Sequence, residues 1–228
     1  KSIDNTVFFA RLGQRIIHIL TSKMASGELY ETDMRLRPSG NAGLLVCSLA
    51  AFEKYQRESA WTWERQALVR ARAIAGDSQL GEAFEVLRKQ LLEQERDLET
   101  LRQEVSAMRS KMFEHLGSGA TALAEGEFNL KQDRGGIVDI EFMVQFGVLA
   151  QSKSVPGVAR WHDNIRILDE LVNAGFFSTE EGEQLTQAYI AYRSAGHRLQ
   201  LQQLPGVVKT GEFDIHRQAV ATIWTRLF

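Results

Sequence analysis

Phe8, Leu12, Ile16 and Ile19 recur at helical spacing with arginines on the other side. This spacing predicts a first helix capped by Asp4 or Asn5 and ended near "TSKMASGE", with Gly27 marking the turn. The period then shortens to two. Tyr30, Thr32, Met34 and Leu36 alternate with Glu31, Asp33, Arg35 and Arg37, which predicts a strand with one apolar and one charged face. Pro38-Ser-Gly ends that strand, and "GLLVCS" at 43–48 predicts a second one returning as a hairpin. From Ser48 onward the pattern is helical: Ala50–Gln56, Trp61–Gly76, a helix capped by Asp77 or Ser78, and a long helix. The long helix carries Leu98, Leu101, Val105, Met108, Met112 and Leu116 in near-heptad spacing, read as bundle packing rather than a separate coiled coil. "GSGATALAEGE" at 117–127 reads as a loop and Phe128–Asp133 as a short strand. Gly135-Gly136 opens the helix "IVDIEFMVQFGVLAQS". Further helices are capped near Asp163 and stopped by Gly175, capped by Ser178 and running to about Leu204, and, preceded by Gly211 and Phe213, running to the end.

The expected fold class is mainly α with a small β part (α+β), a partial sheet followed by a helical bundle. Residues 1–48 form one part and 49–228 the bundle domain. A hairpin this small needs further strands from elsewhere.

Composition narrows the class. With 228 residues, 44% hydrophobic and 25% charged, the chain has the profile of a soluble globular protein. A net charge of −2 gives no basic excess for nucleic acid. The single Cys47 excludes an internal disulfide framework and fits a reducing, cytoplasmic setting. No apolar run is long enough to span a membrane, so no membrane is expected as a partner.

The candidate chemistry sits on the charged strand face. Its bland reading is a solvated edge. Against that, the acids come first and the arginines last, and the strand runs into a turn rich in residues that let backbone N–H groups converge on an anion. One carboxylate beside two guanidiniums suits a metal-bound polyphosphate: Asp33 for Mg²⁺, Arg35 and Arg37 for phosphate oxygens. Arg70 and Arg72 are two apart on a helix, and Arg70 is taken as a further nucleotide contact. Lys131 and Asp133 precede the glycines that open a helix, a fair place for an anion. Asp139 and Glu141 point in different directions on their helix and are read as orienting basic groups rather than holding metal. Trp61 and Trp63 are read as packing residues. The histidines show no metal-ligand spacing.

"LYETDMRLRPSGNAGLLVCS", "AWTWERQALVRARAIAGD" and "GGIVDIEFMVQF" together resemble the glutamine synthetase adenylyltransferase family, from about Phe8 to the end. "RPSG" and "AWTWE" resemble its C-terminal, adenylylating half more than the half that removes AMP by phosphorolysis. The resemblance implies a nucleotidyltransferase domain followed by a helical bundle, and ATP- and Mg²⁺-dependent transfer of AMP to a tyrosine of glutamine synthetase. It implies glutamine synthetase and the PII signal protein as partners and glutamine as effector. Asp33 matches the third carboxylate of the family's site, Arg35 and Arg37 lie in the matching "RLRP" run, and the motif strengthens Lys131 as a phosphate contact. The family's Gly-Ser-Asp-x-Asp strand is expected before Lys1, so the chain is expected to be an inactive fragment. Two alternatives stand beside this: the deadenylylating half of the same enzyme, or a non-catalytic helical module that docks glutamine synthetase or PII.

Overall fold

The computed structural model describes residues 3–25, 27 and 32–228, with the side chains of residues 120, 123 and 210 left aside. The chain divides into two compact units, Lys1–Ala67 and Leu68–Phe228. The sequence's expected domain boundary lies earlier, at 48/49.

In the first unit, helix α1 spans Asn5–Thr21. The Asp4 carboxylate caps it by accepting from the Thr6 N–H at 2.8 Å. None of its residues is buried, and Phe8, Leu12, Ile16 and Ile19 are all exposed along it. Ser48 caps α2 (Leu49–Glu58), and α3 (Thr62–Arg70) follows, with its last three residues counted in the second unit. The α2–α3 joint is held by the buried Glu64. Its carboxylate accepts from the Tyr55 hydroxyl and from the Trp61 N–H at 2.9 Å. Helix α3 stops at Arg70, six residues before the expected Gly76.

The expected hairpin is absent among the described residues. Tyr30 and Glu31 lie outside them. Thr32–Met34 is irregular, Arg35–Ser39 is turn and bend, Gly40–Ala42 is a short 3-10 helix, and 43–48 forms no strand. Local hydrogen bonds win over the period-two pattern, because Asp33 folds back onto its own backbone and a lone strand has no ladder to pay for extension. Ser39 and Gly40 adopt left-handed conformations at φ 59° and 53°. Gly43 passes so close to the Pro38 carbonyl that a Cβ there would lie 1.9 Å from its oxygen, so only glycine closes this turn.

The second unit is a bundle around one buried helix. Asp77 caps α4 (Ser78–Leu92) and Asp97 caps α5 (Leu98–Leu116). A short α6 (Ala120–Ala124) lies where a loop was expected. Strand β1 (Glu127–Asn129) is shorter than the expected 128–133 and pairs antiparallel with β2 (Val207–Lys209), a partner the pattern did not reveal. Helix α7 (Ile137–Gln151) is buried almost throughout and packs against α5, α8 (Asn164–Asn173), α9 (Thr179–Leu201) and α10 (Asp214–Leu227). Ser178 and Glu181 form a reciprocal capping box that starts α9. The fold is thus mainly α with a small two-stranded sheet.

Of the near-heptad set, Leu101 and Val105 are buried on α5, and Arg109 completes the buried stripe. Leu98 and Leu116 are exposed. The long-helix reading as bundle packing holds, since α5 packs on α7.

Candidate functional site

Asp33 and Arg35 meet directly. The Asp33 carboxylate accepts from the Arg35 backbone N–H at 2.8 Å, from Nε at 3.0 Å to each oxygen, and from Nη2 at 2.7 Å. Their side chains are 48% and 73% exposed. The Arg35 guanidinium and backbone N–H hold the Asp33 carboxyl down at about 2. Arg37 points elsewhere. Its guanidinium wraps the following turn, donating to the carbonyls of Met34 at 2.7 Å and of Asn41 and Gly43 at 3.4 Å. Of the expected phosphate pair, Arg35 therefore presents its charge beside Asp33, while Arg37 shapes the Pro38–Gly43 turn.

Arg70 and Lys131 belong to the second unit. Arg70 Nη1 pairs with Glu141 on α7 at 2.7 Å, so Glu141 orients a basic group as expected from sequence. Lys131 is exposed at the tight loop after β1. That loop uses its own carbonyls to satisfy the start of α7: Ile137 N–H donates to Leu130, Val138 N–H to Lys131, and Gly136 N–H to Asp133. The anion site expected at this helix N-terminus is therefore filled by the protein itself. Trp61, expected to pack, is 70% exposed.

Among the described residues, no group of three or more His, Cys, Asp or Glu could hold a metal ion. Asp33 alone supplies one carboxylate, and its partner is Arg35. The described residues do not by themselves fit a Mg²⁺ centre, which needs several oxygen ligands in near-octahedral array.

Asp139 orients a basic group, as expected from sequence, but sequence reasoning missed that the group is Arg109 and that the pair is part of a network buried inside the bundle. Arg109, fully buried, donates through Nε to Asp139 Oδ1 at 2.5 Å and through Nη2 to the carbonyls of Gln132 and Asp133. Asp139 Oδ2 accepts from the Gly135 N–H at 2.6 Å. Burial pushes the Asp139 carboxyl up, against the Arg109 guanidinium and the Gly135 N–H, which favour the ionised form. Gly135, at φ 82°, brings its backbone so near Arg217 that a Cβ would lie 2.5 Å from that residue's carbonyl oxygen. Asp133 closes the same loop, accepting from the N–H groups of Ser118 and Asn129. A second buried guanidinium, Arg88, donates to the carbonyls of Leu68, Val69, Ala159 and Trp161 and to Glu85. One signal was visible in advance: Asp139 is an acid early in an otherwise apolar helix, and a buried acid needs a cation.

Comparison with known proteins supplies the family. The family model for glutamate-ammonia ligase adenylyltransferase matches residues 1–87. The chain is 53% identical over its whole length to a bifunctional glutamine synthetase adenylyltransferase/adenylyl-removing enzyme of Pseudomonas putida, and 54% to that of Pseudomonas aeruginosa. The chain belongs to the glutamate-ammonia ligase adenylyltransferase family. A protein of the same name from Hahella chejuensis is 53% identical. The chain spans about a quarter of the length of these relatives, 24% of each. The model for GlnD PII-uridylyltransferase matches residues 103–206, the stretch that holds Arg109 and Asp139. No helix among the described residues is long and apolar enough to cross a membrane.

Proposed function

We propose that this chain works as part of an enzyme that transfers AMP from ATP to a tyrosine hydroxyl of glutamine synthetase, with Mg²⁺ as cofactor. The tyrosine oxygen forms a bond to the α-phosphorus and the bond to the bridging oxygen breaks. Pyrophosphate leaves with that electron pair, and the tyrosine proton passes to a base. The observation that carries this reading is whole-length identity above one half to relatives named for both adding and removing the adenylyl group.

Asp33 and Arg35 are assigned to the nucleotide. Asp33 is taken as one metal ligand, with further carboxylates supplied from outside the described residues. An exposed carboxylate–guanidinium pair exchanges partners at little cost, so Arg35 can turn from Asp33 to a phosphate oxygen. Arg37 is assigned to the same phosphates through the turn it holds, and Arg70 and Lys131 to outer contacts. Residues 1–48 are taken as the end of the catalytic domain and 49–228 as the bundle behind it. PII and glutamine are proposed regulators, and the enzyme is placed in the cytoplasm.

The test is AMP incorporation into purified glutamine synthetase, and AMP release from its adenylylated form, by the intact enzyme and by residues 1–228 alone. The intact enzyme with Asp33→Asn should lose incorporation and keep release, and the 228-residue chain alone should show neither. Loss of release with incorporation retained would assign these residues to the removing reaction instead. Retention of both would remove Asp33 from the chemistry.

A further inference from the structure

The bundle holds an open pocket of about 550 Å³ between α5, the start of α7 and α10, all within the second unit. Ser106, Ser110, Arg134, Asp139, Trp224 and Phe228 are among its lining residues. Its charge balance is uneven. Asp139 is matched by Arg109, and both of its oxygens already accept, from Arg109 Nε and from the Gly135 N–H. Arg134 makes no salt bridge among the described residues. Its Nη2 donates only to the neutral Ser110 hydroxyl at 3.2 Å, and its guanidinium lies over the Phe113 ring at 5.0 Å. Arg109, itself outside the pocket lining and paired with Asp139, also lies over Phe113, at 5.8 Å. Trp224 and Phe228, with ring centroids 4.3 Å apart, add an apolar wall.

We infer that this pocket binds a small oxyanion, a carboxylate or phosphate group, held by the Arg134 guanidinium and the Ser106 and Ser110 hydroxyls against Trp224. The argument is one of complementarity. A guanidinium fixed by ring stacking offers a fork that matches two oxygens of one anion. Two hydroxyls on the same helix, one turn apart, add neutral donors. The carboxylate in the wall is already neutralised and does not repel. The volume is that of a metabolite-sized cleft rather than a single ion. The site takes its residues from α5, the loop before α7, and α10, so an anion there ties the last helix of the bundle to its centre.

The experiment is an NMR titration of residues 1–228 with potassium phosphate and, separately, potassium succinate, each against potassium chloride at equal ionic strength. The readout is the Trp224 indole N–H peak, assigned by its loss in Trp224→Phe. A saturable shift with either oxyanion and none with chloride is expected, and the stronger of the two identifies the preferred group. Arg134→Gln should weaken that binding at least tenfold. Ser110→Ala should weaken it by a smaller factor and leaves the fold in place if the first variant does not. Lys153→Ala, a surface change far along the chain, should leave it as in the wild type. An equal response to chloride, or oxyanion binding untouched by Arg134→Gln or by Ser110→Ala, overturns the inference.

Discussion

Asp33 with Arg35 in the first unit, and Asp139 with Arg109 in the second, join the same two chemical groups in opposite surroundings. The first pair is open to water, two residues apart in the chain, and made by a local turn. The second is 1% and 0% exposed and joins helices thirty residues apart. Water screens the first and repays its partners whenever it opens, so the pair is cheap to break and suited to exchange for a ligand. The second has no solvent to fall back on, and losing one member strands the other in the bundle core. The helices repeat the contrast: α1 buries none of its residues, while α7 buries nearly all of them. The Asp33–Arg35 pair and α1 are presented outward, while Asp139, Arg109 and α7 are consumed in packing.

The sharpest break of this comparison is Asp139→Ala. It should cost about 3 to 5 kcal/mol, because Arg109 would remain buried without its counter-charge. Urea unfolding would read this as a lower midpoint at unchanged slope, and a loss under about 1 kcal/mol would mean that water reaches the pair. Next comes Asp33→Asn in the intact enzyme. AMP transfer should fall by about 10² to 10³ or more, with stability within about 0.5 kcal/mol of wild type, as for ordinary surface changes. The amide oxygen can still accept from the Arg35 N–H, so the turn should persist. A destabilised but active variant would reverse the roles assigned to the two pairs.

The pH dependence divides them too. The folded carboxyl of Asp33 sits at about 2, below its ordinary 3.8. Its contribution is therefore fully present above about 3.8 and lost as pH falls through about 2. Carboxyl NMR shifts should show this midpoint, and Arg35→Ala should return it toward the ordinary value. An unmoved midpoint would mean that the pair is open in solution. Arg37→Lys should cost roughly 1 kcal/mol, since ammonium cannot span the three carbonyls of the Pro38–Gly43 turn; thermal melts would register it. The smallest effect is expected at Lys153 and Glu95, 54% and 80% exposed. Lys153→Ala should change stability by under about 1 kcal/mol, and a larger loss would undo the link between exposure and cost on which the comparison rests.

Most helices were legible because their signals are local. Asp4, Ser48, Asp77, Asp97, Asp163 and Ser178 each cap the helix that their sequence neighbours predict, since a cap needs only the next three residues. The three long motifs carried the family for a similar reason: identity of residues needs no geometry. The charged stretch misled because alternation records which residues are polar, not whether a partner strand exists. With Asp33 closing on the Arg35 N–H and Arg37 on the Met34 carbonyl, short-range hydrogen bonds settled Thr32–Met34 as irregular chain and Arg35–Arg37 as turn and bend. Arg109 was hidden for the converse reason. An arginine on a helix between Met108 and Ser110 looks solvated, and only the docking of α5 on α7 removes the water that would have made it so. The sequence by itself determined most of the helices, the caps at Asp4, Asp77, Asp163 and Ser178, and the family, because those depend on neighbours along the chain. The tertiary structure alone decided which charges are spent and which are offered, because burial is a property of what folds against a residue rather than of the residue.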